Sequence, residues 1–251
     1  MGPPAVRERL LIWQMWRLLR PQYAHNAIYN HAQGRGHTVP HVLEAGFLWT
    51  LFITRAIGRE QERGTYELLA VTPDGALGAG LRMSAAVMHK LIDVTQYMGL
   101  AVWIVRFLVV GIWLGRTAAL TTNLGEFILL WGGVAIPVGV MWVFHFYDIA
   151  LSALLGMLFP AMTRERTVTP PFAMVLHLLL TVVPIVQFAA GYSLIVAFTD
   201  GVLPFLLLNA INAVVMMALC EGVARVLWRR LVNTLDVAGA DAARILREGL
   251  D

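Results

Sequence analysis

Four stretches of this chain, residues 91–115, 126–160, 171–198 and 202–224, are apolar over the length of a membrane-spanning helix. A helix rises about 1.5 Å per residue, so about 20 apolar residues cross a hydrocarbon core of roughly 30 Å. Composition agrees, since 58% of the 251 residues are hydrophobic and 14% are charged, against roughly 45–50% and 25% in soluble domains. Cys220 is the one cysteine, which excludes a disulfide-stapled scaffold. A net charge of +3 is too small to argue for nucleic acid as a partner. The fold class expected is all-α, a polytopic helical membrane protein. No signal peptide is expected, because the stretch after the charged residues 1–9 is broken by Gln14, Arg17 and Arg20 without a small-residue cleavage site.

Stretch 126–160 is too long for one straight span. Pro137 and the Gly132-Gly133 pair suggest a kink, or an interfacial half-helix leading into one crossing. Residues 41–57 are apolar but shorter and carry Glu44 and Arg55, so they read as a fifth span or as a re-entrant segment. Five to six transmembrane helices are therefore expected over residues 41–224. Twelve Lys and Arg residues fall in 55–90, in loop 161–170 and after 225, against Arg116 alone in the two intervening loops. Positive charge marks the cytoplasmic side, so residues 58–90, loop 161–170 and the tail 225–251 are expected in the cytoplasm beneath an inner membrane.

Residues 1–40 form a separate unit. Leu10, Leu11, Trp13, Trp16 and Leu19 interleave with Arg7, Arg9, Arg17 and Arg20, the pattern of a basic interfacial helix on a headgroup surface. Its arginines favour the cytoplasmic side, whereas a full span at 41–57 ending inside requires an external start. Either the N-terminus is outside or an early hairpin enters partway and returns.

The densest charge cluster abuts an apolar helix end, in the elbow 58–73. It reads Ile57-Gly-Arg-Glu-Gln-Glu-Arg-Gly-Thr-Tyr-Glu-Leu-Leu-Ala-Val-Thr-Pro73. On a helix, Glu60, Arg63 and Glu67 share a face and can pair. Gly64 lowers helix propensity and allows a bend, Thr65 is placed to cap a short helix over 66–71, and Pro73 ends it.

This run resembles the E-R-E-x-G-T-x-E-x-L-L-x-T-P signature of permease subunits in the ABC-2 class of ATP-binding-cassette transporters. The matching positions are Glu60, Glu62, Gly64, Thr65, Glu67, Leu68, Leu69, Thr72 and Pro73, with Gln61 where the pattern has arginine. A weaker likeness to the same class runs through Ala150-Leu-Ser-Ala-Leu-Leu-Gly-Met-Leu-Phe159. Members usually place two transmembrane helices before the signature, and here only 41–57 is available. The resemblance implies a cytoplasmic coupling helix that docks on a separate ATP-binding subunit, and a second permease subunit, identical or related. It also implies an exporter in which ATP and Mg bind the partner chain. Glu60, Glu62, Arg63, Gly64, Thr65, Tyr66, Glu67, Leu68, Leu69 and Pro73 would be the contact residues. The competing class is a non-catalytic accessory or scaffold subunit of a larger membrane complex, in contact with lipid in either case.

Lys90 is the one lysine, and no Gly-x-x-x-x-Gly-Lys-Ser/Thr run exists, so this chain is not itself a P-loop ATPase. No catalytic constellation, cofactor site or metal motif is read on it. His25, His31, His37 and His41 sit in a loop marked by Gly34, Gly36 and Pro40 and lacking carboxylates, and hydrogen bonding suits them better than a metal. Arg106, His145, Asp148, His177 and Glu221 are ionisable residues inside apolar stretches, which makes them candidates for a pathway or for polar packing. His145 and Asp148 share a helical face and can pair. Counted from Pro160 and Pro171, His145 lies about 22 Å and His177 about 9 Å from the cytoplasmic ends, depths too unequal for a shared haem. Asn209 and Asn212 are placed to hydrogen-bond across helices. Gly111 and Gly115 form a weak Gly-x-x-x-Gly pair at a helix end.

Overall fold

The computed structural model describes residues 10–19, 46–66, 71, 75–90, 135–163 and 169–248, with isolated positions between 104 and 133. Seven helices carry the described residues. They are α1 (11–19), α2 (Gly46–Glu62), α3 (Gly75–Lys90), α4 (Ala135–Met162), α5 (Thr169–Phe198), α6 (Val202–Thr234) and α7 (Gly239–Glu248). The all-α reading stands, but the expected five to six spans do not. Three helices among the described residues, α4, α5 and α6, are long and apolar enough to cross a bilayer. The protein is a multi-pass helical membrane protein.

Segment 41–57 adds no further candidate span, because its helix is shorter than the three long ones and its end is charged. The observed α2 has 17 residues and ends in the charged run Arg59–Glu62. It packs against α3, α4 and α5. Stretch 91–115 lies almost wholly outside the described residues, as does Arg106. Gly111 and Gly115, which are described, have nothing within 4 Å of the place a Cβ would take.

The central element is α4. In its most apolar stretch 67% of residues are buried, against 17% in α5 and 28% in α6, which form the outer wall. Lipid tails are as apolar as leucine, so burial here follows from close van der Waals fit. The run Ala150–Phe159 supplies that fit: a Cβ on Gly156 would collide with Ile53 of α2. Because Asp148 meets Gly46 and Gly156 meets Ile53, α2 and α4 run in the same direction. Pro137 stands in the first turn of α4, where a missing N–H costs nothing. Pro184 lies inside α5. The Leu180 carbonyl, one turn earlier, accepts the Tyr147 hydroxyl at 3.2 Å.

Helix α1 packs on the bundle. Leu11, Met15, Leu18 and Leu19 are buried in the common core, and Trp13 and Trp16 pack on Phe146 of α4 with ring centroids 5.5 and 4.9 Å away. The apolar face that its amphipathic spacing marks is covered by protein. Glu221 of α6 accepts the first free amides of α1, Leu11 N–H at 2.6 Å and Ile12 N–H at 3.1 Å. The Arg17 guanidinium donates to the Leu246 carbonyl of α7. Helix α1 therefore shares an end of the molecule with the C-terminal helices.

Candidate functional site

Two polar regions stand out from the apolar bundle. The first is buried where α2 begins. Gly46 N–H donates to Asp148 Oδ2 at 3.0 Å, so a carboxyl group caps the positive end of α2. The contact requires glycine, since a Cβ at position 46 would strike that carboxyl group. Asp148 Oδ1 lies 2.7 Å from His177 Nε2, and His177 Nδ1 lies 2.8 Å from the Thr50 hydroxyl. The His177 ring thus bridges Thr50 and Asp148, and the Thr50 hydroxyl also lies 3.3 Å from the Gly46 carbonyl. Ser152 reaches the Gly46 carbonyl at 2.8 Å. One network thus ties α2, α4 and α5 together away from water, where unpaired polar groups are costly.

A hydroxyl, an imidazole and a carboxyl in sequence also form the chain that general-base activation uses. Here Thr50 and His177 are fully buried, so the arrangement serves cohesion between helices. Sequence counting from Pro160 and Pro171 separated His145 from His177 in depth. Yet His177 meets Asp148, one turn from His145. The ring of His145 stacks with Trp142 and Phe146. Asn212 bridges helices as expected, accepting from Gln187 at 2.7 Å and donating to the Phe188 carbonyl at 2.9 Å. Asn209 instead bonds the Phe205 carbonyl of its own helix. Glu221 holds α1 and also accepts from Arg225 at 2.7 Å.

The second region is the opposite end of α2. Past Ile57, the last buried apolar residue of that helix, α2 continues through Gly58–Glu62. Gly64 takes the left-handed conformation (φ 69°), which ends the helix with little strain. Glu60 and Arg63 pair at 3.4 Å, as their spacing suggested. Thr65, expected to cap the following turn, points back and donates to the Glu60 carbonyl at 3.2 Å, with its carboxylate also in reach. Tyr66 donates to the Ala76 carbonyl at 3.0 Å, joining the two feet of the elbow. Burial pushes the Tyr66 phenol above its ordinary value, so it stays a donor through neutral pH. Glu62, Arg63 and Gly64 are exposed. Glu67, Leu68, Leu69 and Pro73 lie outside the described residues, as do the four histidines between 25 and 41.

A cleft of about 510 Å³ opens beside this elbow, between the last turns of α2 and the junction of α4 with α5. Thr54, Arg55, Gly58, Arg59 and Glu62 line one wall, and Pro160, Thr163, Thr169 and Pro170 the other. Sequence reasoning missed it, because Arg55 and Arg59 sit some 100 residues (roughly) from the α4–α5 junction and nothing local joins them. Among the described residues, no cluster of three or more His, Cys, Asp or Glu side chains could hold a metal.

No family model, curated protein or solved structure matches this chain.

Proposed function

We propose that this chain is the membrane-spanning permease subunit of an ABC-2-type ATP-driven transporter, with the elbow 58–73 as the contact for a separate ATPase chain. The observation that carries the reading is the build of the elbow. An extension of α2 leaves the bundle with Glu62 and Arg63 uncovered, while Thr65 and Tyr66 brace its base. A push on the tip is thereby delivered to α2, and through Gly46 and Asp148 to α4 and α5.

ATP and Mg would bind the partner, and closure of the partner would favour one arrangement of the helices by contacting it better. A second permease copy, identical or related, would complete the pathway. Export fits the resemblance, and the elbow side would be cytoplasmic, consistent with the arginines gathered there.

Gentle detergent purification from membranes tests this. A P-loop ATPase chain should co-purify with the wild type and be lost from the Glu62→Arg/Arg63→Glu double variant, whose altered side chains are exposed. In reconstituted vesicles Glu67→Ala with Leu68→Ala should leave hydrolysis uncoupled from transport. Wild-type preparations free of any ATPase chain would favour the scaffold reading.

A further inference from the structure

The cleft between α2 and the α4–α5 junction holds two cations that nothing in the described structure neutralises. Arg55 and Arg59 stand one turn apart on the same face of α2, both exposed. Neither guanidinium has an ion pair or hydrogen bond among the described residues. Across the cleft, Thr163 just past the end of α4 and Thr169 at the start of α5 hold their hydroxyls 2.9 Å apart, and Thr163 donates to the Phe159 carbonyl. Glu62 is the one carboxylate among the described lining residues, so the lining keeps a net positive charge. Gly58 stands between the two arginines and leaves the floor open, with nothing within 4 Å of where its Cβ would be. Two guanidinium forks one turn apart beside a small open space are an arrangement that receives a phosphate group.

The walls beyond the cleft indicate which phosphate. One turn into α5 begins an exposed apolar stripe, Phe172, Val175 and Leu179, each 48–58% exposed and spaced three and four residues apart. A free anion has no use for that stripe, whereas acyl chains attached to a phosphate would lie along it. We infer that the cleft binds the phosphate headgroup of an anionic phospholipid, with Arg55 and Arg59 as its cations and the α5 stripe as the bed for its chains. The cleft shares Gly58, Arg59 and Glu62 with the elbow, so its test is run with no ATPase present.

The test uses the full chain in nanodiscs of phosphatidylcholine containing a minor fraction of phosphatidylglycerol, with no ATPase present. Native mass spectrometry counts the phosphatidylglycerol retained on release. Wild type should retain it, and Arg55→Gln/Arg59→Gln should weaken retention roughly thirtyfold, the combined effect of two basic groups near a charged headgroup. Gly58→Leu, which fills the floor and keeps both charges, should weaken it as well. Arg229→Gln/Arg230→Gln, which removes the same charge from an exposed part of α6, should retain lipid like wild type. Equal retention in all four proteins overturns the site. Stabilisation of the wild type by inorganic phosphate alone, equal to that by the lipid, overturns the assignment to a lipid. Because no ATPase takes part, neither result bears on the coupling proposed above.

Discussion

Tyr147 of α4 donates its hydroxyl to the Leu180 carbonyl of α5, the acceptor that Pro184 deprives of its intrahelical donor. A proline inside an outer, lipid-facing helix is tolerated because a neighbouring helix supplies the missing hydrogen bond. Tyr147→Phe should therefore destabilise the protein by about 0.5–1.5 kcal/mol, measured by unfolding in mixed micelles. In a Pro184→Ala background, where the α5 amide can serve Leu180 itself, the same change should cost measurably less. Equal costs in both backgrounds would break the link between the two residues.

The Asp148–His177 pair should be far more sensitive. Removing one member of a buried polar pair leaves the other desolvated, at a cost of about 3–5 kcal/mol when a charge is stranded. His177→Ala is expected to lower stability into that range and to loosen the start of α2, read as faster amide exchange at residues 46–50. Thr50→Val, which removes the outermost member of the chain, should cost only about 1 kcal/mol. A His177→Ala protein as stable as wild type would show that the network contributes nothing.

Close packing predicts a steric result at Gly156. A Cβ there collides with Ile53 of α2, so Gly156→Val should destabilise by about 1–3 kcal/mol through overpacking. Ile53→Ala should recover part of that loss in the double variant, because the atoms in conflict are then removed. The check is a double-mutant cycle from denaturant midpoints in detergent, where additive losses would rule out the contact.

Helix α1 hangs on one side chain. Glu221→Gln keeps the volume but removes the charge that binds Leu11 and Ile12 amides and Arg225. Charge-assisted hydrogen bonds contribute about 1.5–3 kcal/mol each, so exchange protection over residues 11–19 should fall roughly tenfold or more while α4 is unaffected. Protection unchanged over that helix would mean that the apolar face alone holds it.

Hydropathy by itself determined the helical class and the positions of α4, α5 and α6, because a bilayer requires long apolar runs wherever the chain crosses it. The local order Glu60–Arg63 and the bend at Gly64 were legible too, since they depend on neighbours within a turn. What only the tertiary structure decided was which surfaces of the apolar helices meet protein. Apolar spacing in α1 and α2 demands a cover without saying whether lipid or another helix supplies it. The partners of Asp148 and Glu221 were likewise hidden, because a buried polar group is satisfied by whatever the packing brings within about 3 Å, and those partners lie far away along the chain.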